Sequence, residues 1–256
     1  MITSTSNKQV KHITQLQKKA KLRNQENVFV VEGPKMVAET PAELLLELYI
    51  SESYADKWQG VDGEIVSDAV MKAISDTTTP QGVLAVVKKP HYHLQQLIQN
   101  PAHLLLVEGV QDPGNLGTMF RTGEGAGVTG IVMHKTTVDL FHPKTVRSTM
   151  GSIYRVPFVI AEDWEQTISE IRNAGVTLYA AHLGGTKMYD DFDYTGSCGF
   201  FVGNEGNGLT DETTAMANQL LRIPMEGRLE SLNAAMAAGI LMYEANRQRR
   251  KEFGGY

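Results

Sequence analysis

Gly199-Phe200-Phe201-Val202 runs directly into Gly203-Asn204-Glu205-Gly206-Asn207-Gly208-Leu209. The first four residues read as a short, fully buried strand. The loop after it has three glycines in six positions, with Glu205 as its one charge. A plain turn needs one or two glycines. The excess lets backbone approach a ligand closely or adopt positive φ, so the segment is read as a binding loop. Near-continuous apolar strands with glycine-rich exits suit a mostly parallel sheet covered on both faces, where ligands sit beyond the strand ends.

The flanking sequence repeats this alternation. Strands are predicted at His103–Val107, Gly130–Met133, Thr177–Ala181 and Leu220–Ile223. Helices are predicted at Leu116–Gly125, Trp164–Ala174, Glu212–Ala217 and Leu232–Arg250. Two further strand-to-helix joins stand out. Asp112-Pro113-Gly114-Asn115-Leu116-Gly117 leads to Arg121, with Asn115 as candidate N-cap. A capped helix with a solvated arginine explains that segment equally well. Ile223-Pro224-Met225 leads to Ser231-Leu232-Asn233, with Ser231 as candidate N-cap and Asn233 in the first turn. Simple capping accounts for this join in isolation. Gly125-Ala126-Gly127-Val128-Thr129-Gly130 satisfies GxGxxG, but a helix precedes it and a strand follows. That inverts the dinucleotide motif and opposes a dehydrogenase.

The N-terminal part differs in character. Of 24 glycines, 20 lie after residue 100. Residues 1–99 carry 11 basic and 11 acidic side chains, so the net charge of -5 belongs to the remainder. Lys8, Lys11, Lys18, Lys19, Lys21 and Arg23 face no acid between Asn7 and Asn24, and Val10, Ile13 and Leu16 give that stretch one apolar stripe. It is read as a single basic amphipathic helix able to contact phosphates, with a merely solvated basic face as the alternative. Short strands are predicted at Val28–Val31, Leu44–Ile50, Glu64–Val66 and Val83–Val87, with helices through Met36–Ala38, Tyr54–Trp58 and Asp68–Ile74. The expected domains are 1–90 and 102–256, joined by a linker at 91–101.

Composition excludes several classes. One cysteine, Cys198, allows no disulfide framework and no multi-thiolate metal site, and His91 and His93 lack further ligands, so no metal is expected. No secretory h-region is seen, and Ser231–Tyr243 is too short for a membrane span. A cytoplasmic protein without a membrane partner is expected.

The three loops together resemble the motifs of the TrmH/SpoU family of RNA ribose 2′-O-methyltransferases, in the SPOUT superfamily. Asn115 with Arg121, the Gly203-Asn204-Glu205-Gly206 run, and Ile223-Pro224 with Ser231-Leu232-Asn233 match in order, spacing and context over about residues 100–250. The first region is similar to the family's L30e-like substrate-binding domain at Val28–Pro34 and Ser75–Val83. The resemblance implies an α/β C-terminal domain with a deep trefoil knot, S-adenosylmethionine as cofactor, and a homodimer. It places cofactor contacts at Gly203, Ile223 and Leu232, with Met225 and Gly206 as neighbours. It assigns Arg121, Asn115, Glu205, Ser231 and Asn233 to catalysis, with Arg121 as general base. A guanidinium stays protonated in proteins, so a phosphate and oxyanion clamp is the preferred role. Ribosomal RNA is preferred over tRNA as substrate. A non-catalytic RNA-binding member of the fold is the other alternative. Lys8, Lys11, Lys18, Lys19, Lys21 and Arg23 are the expected RNA contacts. Arg247, Arg249, Arg250 and Lys251 serve equally as RNA contacts or as helix C-terminal charge.

Overall fold

A computed structural model describes residues 1–229 and 231–253. In chain order the elements are α1 (Lys8–Lys18), α2 (Ala20–Glu26), β1 (Val28–Glu32), α3 (Pro34–Ala38), β2 (Leu45–Ser51), β3 (Glu64–Val66), α4 (Asp68–Ile74) and β4 (Val83–Lys88). Then come α5 (Leu94–Leu97), β5 (His103–Val107), α6 (Pro113–Ala126), β6 (Gly130–His134), α7 (Pro143–Thr149), β7 (Phe158–Ala161) and α8 (Trp164–Asn173). The chain ends with β8 (Thr177–Ala181), β9 (Lys187–Met188), β10 (Cys198–Val202), α9 (Asp211–Met216), β11 (Gln219–Arg222) and α10 (Ala234–Phe253).

Two compact units result. The first comprises Met1–Pro90 with Asp139–Tyr154, and the second His91–Val138 with Arg155–Tyr256. The segment 139–154 therefore packs with the N-terminal residues, although its flanking chain belongs to the other unit. The residues read as a linker are packed too. Leu97 is buried, and Tyr92, Leu94 and Ile98 lie against the second unit's core.

In the first unit the sheet order is β1-β4-β2-β3, with the β2–β3 pair parallel and the others antiparallel. Val10, Ile13 and Leu16 of α1 join Val30, Tyr49 and Val70 in its core, so the apolar stripe is a true packing face. The basic segment is two helices rather than one. They meet at Lys19, whose extended backbone (φ -118°, ψ 101°) interrupts the helical ladder. The predicted helix at Tyr54–Trp58 is only a 3-10 turn over Ala55–Lys57.

Arg23 corrects an expectation. It is 2% exposed and is no surface phosphate contact. Its guanidinium donates to the carbonyls of Leu16 (2.6 Å) and Gln17 (2.9 Å) and pairs with Asp139. Those carbonyls belong to the last turn of α1, which lacks helical partners for them. Lys8, Lys11, Lys18, Lys19 and Lys21 are all exposed.

The second unit is a seven-stranded sheet ordered β7-β6-β5-β10-β8-β11-β9, every pair parallel. Strands β7 and β9 were not foreseen. Val159 is half-buried and Ile160 exposed at the sheet edge, so β7 lacks the continuous apolar run of a central strand. Strand β9 is only two exposed residues long. Central β10 pairs with β5 on one side (Phe200 opposite Leu105) and with β8 on the other (Phe200 opposite Tyr179). All five of its residues are buried. This order sets the exit loops of β5 and β10 side by side, about a hundred residues apart in sequence.

One buried group makes this unit acid-sensitive. His103 is 1% exposed and its Nε2 has no partner among the described residues. Burial, then the nearby Arg249 charge, push its pKa down to about 3 against an opposing hydrogen bond with the Gly127 backbone. Below pH about 6.5 the unfolded chain takes up a proton that the folded chain refuses until about 3, so stability falls across that window. His103→Leu is expected to flatten the dependence of the urea midpoint on pH between 6.5 and 4. An unchanged slope would show that other groups control acid unfolding.

Candidate functional site

The site grows from three strand exits. The first begins α6. Its N-cap is Asp112, not Asn115: the Asp112 side chain accepts from the Asn115 N–H at 2.9 Å, and Pro113 occupies the first turn where its missing N–H costs nothing. This frees the Asn115 side chain. The third exit is corrected likewise. Asn233, not Ser231, accepts from the N–H groups of Ala235 (2.9 Å) and Met236 (3.3 Å) at the start of α10.

These two asparagines and Glu205 form one directional chain. The Asn233 amide donates to Asn115 Oδ1 at 3.0 Å, and the Asn115 amide donates to Glu205 Oε1 at 2.8 Å. Glu205 also accepts the backbone N–H groups of Gln111 (3.0 Å) and Asp112 (3.1 Å). Because the carboxylate and the helix amides each have a single role, both amide orientations follow. Burial raises the Glu205 pKa. The hydrogen bonds from Asn115, Gln111 and Asp112 outweigh it and hold the carboxyl below its ordinary range. Glu205 is thus an anion at neutral pH, suited to locking loops together and poorly suited to taking up a proton.

The glycine loop folds around Asn204, whose Oδ1 accepts from Gly206 and Asn207 N–H and whose amide donates to the Gly109 carbonyl at 2.8 Å. Backbone bonds between Asn204 and Gly208 close it at 2.9 Å in both directions. Gly203 lies against this closure: a Cβ there would stand 2.2 Å from the Gly208 carbonyl carbon. At Gly206 a Cβ would meet only Asn204 Oδ1, at 3.5 Å. The loop itself needs glycine at 203, whereas at 206 glycine leaves space open. Gly203→Ala is expected to lower thermal stability, since overpacking against backbone costs about 1–3 kcal/mol. Gly206→Ala should leave the melting midpoint nearly unchanged. Equal effects of the two on stability would contradict this division.

Ile223, Met225 and Leu232 are half-buried, and Gly203 with them, while Gly206 and Ser231 are exposed. Pro224–Leu229 make no backbone hydrogen bonds among the described residues. Free backbone groups beside aliphatic side chains and an open glycine suit a ligand held by main-chain and apolar contacts.

Arg121 stands outside the asparagine chain. It lies six residues beyond Asn115 on α6, about 9 Å along the axis and about a third of a turn around it. It is exposed, and no described residue pairs with it. Gly125, one turn further on the same face, has the Tyr243 hydroxyl of α10 2.8 Å from where its Cβ would be.

One residue was missed by sequence reasoning. Glu108, just past β5, is 7% exposed and accepts from Thr210 and Thr213. A glutamate continuing a five-residue apolar strand was its only signal.

Three strand exits tied together at the carboxyl edge of a parallel sheet stand where α/β folds bind their ligands. The model of the SpoU rRNA Methylase family matches residues 102–243, and that of the MRM3-like substrate binding domain matches residues 7–85. The chain belongs to the SpoU rRNA methylase family. It is 33% identical over 247 residues to the 23S rRNA (guanosine(2553)-2′-O)-methyltransferase RlmP of Bacillus subtilis, covering 94% of this chain and 97% of that one. An AdoMet-bound rRNA methyltransferase from Sinorhizobium meliloti superposes with a TM-score of 0.85 at 32% identity, over 96% and 97% of the two chains. The SpoU methyltransferase AviRb from Streptomyces viridochromogenes gives 0.84 at 25% identity, over 96% and 99%.

Proposed function

We propose that the protein methylates a ribose 2′-oxygen of ribosomal RNA, with S-adenosylmethionine as donor. The observation that carries this reading is the Glu205–Asn115–Asn233 chain, which joins all three motif loops into one site. When bound, the cofactor supplies an electrophilic methyl group. Gly203, Gly206, Ile223, Met225 and Leu232 hold it through backbone and aliphatic contacts. Glu205, Asn115 and Asn233 keep the loops in register. Arg121, exposed and without a partner among the described residues, grips an RNA phosphate and stabilises negative charge developing on the ribose oxygen. Ser231, exposed in the third loop, is assigned to orienting the ribose.

The same reading includes the knotted threading of the second unit, a cytoplasmic location and a homodimer. Met236 (59% exposed) and Tyr243 (47% exposed) lie seven residues apart on α10, with Ile240 half-buried between them. Such an apolar stripe suits burial by a second copy, beside the face that bears Arg121. No helix among the described residues is long and apolar enough to cross a membrane.

RNA contact is assigned to the five exposed lysines of α1, α2 and their junction. Replacing Lys8, Lys11 and Lys18 by alanine together should weaken RNA binding and reduce the salt slope of log K by about 2–3, in line with three lost phosphate contacts. An unchanged slope would move the RNA surface elsewhere. The function itself is tested by mapping 2′-O-methyls in ribosomal RNA from cells with and without the gene. One methyl should vanish; a complete, unaltered set would refute the activity.

A further inference from the structure

We propose that Glu108 is a positioning residue for the cofactor loop, holding residues 203–210 in their binding conformation before the cofactor arrives. The inference rests on the function proposed above.

Glu108 is tied to the loop from its own strand exit. Its backbone N–H extends the β5–β10 ladder to the Val202 carbonyl at 2.9 Å. Its carboxylate accepts from the Thr210 N–H at 2.9 Å and the Thr210 hydroxyl at 3.0 Å, on the far side of the loop. The Thr213 hydroxyl donates to the same carboxylate at 2.6 Å and itself accepts from Trp164 Nε1 at 3.0 Å. The loop thus leaves Val202 and returns at Thr210 to the same residue.

Two more ties connect these neighbouring exits. Asn204 donates to the Gly109 carbonyl, and Glu205 accepts from residues 111, 112 and 115. Of the three, the Glu108 tie is the deepest: Glu205 is exposed, whereas Glu108 and Thr213 are buried, at 7% and 1%. A buried carboxylate keeps its geometry where a solvated one exchanges partners with water, because leaving it unsatisfied is expensive. Gly203, Gly206 and Gly208 give the loop more conformational freedom to lose than other residues would. A fixed anchor on both ends removes that loss from the binding step, which lowers the dissociation constant without altering the reacting groups.

The test uses the full chain and S-adenosylhomocysteine as probe. Affinity is measured by calorimetry, loop mobility by amide exchange of residues 204–210, and turnover on a 23S rRNA fragment. Glu108→Ala is expected to weaken probe binding by about ten- to a hundredfold, the scale of lost hydrogen bonds to a charged group. The KM for the methyl donor should rise in parallel, with kcat at saturation within about threefold of the parent chain. Exchange should quicken in 204–210 and stay slow in β5 and β10. Glu108→Gln should recover most of the affinity, because its carbonyl still accepts from the Thr210 N–H and its amide can donate to the hydroxyl oxygens. Thr210→Val, which keeps the buried carboxylate, should weaken the probe about fivefold or more and supplies the answer if the alanine variant does not fold. Probe binding within twofold of the parent in both Glu108→Ala and Thr210→Val would overturn the inference. So would a fall in kcat at constant KM. A parent chain that binds no probe would instead overturn the proposed function, and this inference with it.

Discussion

Replacing Arg121 by alanine is expected to lower kcat for ribose methylation by about 10²–10³, the range seen when one preorganised donor to a developing oxyanion is lost. Cofactor affinity should be unchanged, because Arg121 lies a third of a turn away from Asn115 and outside the hydrogen-bonded loops. Stability should also hold, since the side chain is exposed and no described residue pairs with it. Lysine at this position distinguishes two roles. It keeps one positive charge but loses the planar fork, so a clamp on phosphate oxygens would be largely lost. A lysine variant retaining nearly full turnover at unchanged RNA affinity would refute the clamp. A guanidinium stays protonated in proteins, which suits it to a clamp and not to taking up a proton.

The second large effect falls on stability. Arg23→Met should cost about 3–5 kcal/mol in the first unit, the scale found when one member of a buried ion pair is removed. The variant leaves Asp139 without its main cation and the Leu16 and Gln17 carbonyls without their donors. Lys89 softens the loss, because it is buried nearby and lies in the field of the Asp139 carboxylate. Its own pKa is lowered, by burial first, with Asp139 opposing and Arg23 adding to the effect. Removing both partners, Arg23→Met with Asp139→Asn, should recover part of the stability. The alanine variants of Lys8, Lys11 and Lys18 should each stay within about 0.5 kcal/mol of the parent, as exposed substitutions do. Denaturant titration and RNA binding together decide the matter: Arg23 should act on the first and the lysines on the second. An Arg23 variant of full stability and weak RNA affinity would restore it to the RNA surface.

Arg23 shows where a linear reading stops. Six cations without a neighbouring acid look equivalent in sequence, yet the acid that claims one of them is Asp139, 116 residues away. Capping shows the same limit at shorter range. Asp112 and Asn115 are both good caps, as are Ser231 and Asn233, and local preference does not choose between them. The choice follows from Glu205, which takes the Asn115 amide and so leaves capping to Asp112. Strand β7 was missed because a partly solvated edge strand lacks the continuous apolar run of β5 or β10. Glu108 was missed because the three hydrogen bonds to its carboxylate come from residues 210 and 213, more than a hundred positions on.

Some features were settled by sequence alone. The buried strand 199–202 with its glycine exit and the alternation that makes a parallel sheet are local patterns, set by side-chain period and by the conformations glycine permits, while the grouping of the three loops came from their resemblance to one family's motifs. Tertiary structure decided what each polar side chain does. It set Glu205 as a lock, Asn115 and Asn233 as links and Arg23 as a buried strut, and it left Arg121 exposed with no partner among the described residues. The physical reason is that a polar group's role depends on which partner reaches it and how much water it loses, and both are set by strand order across the sheet.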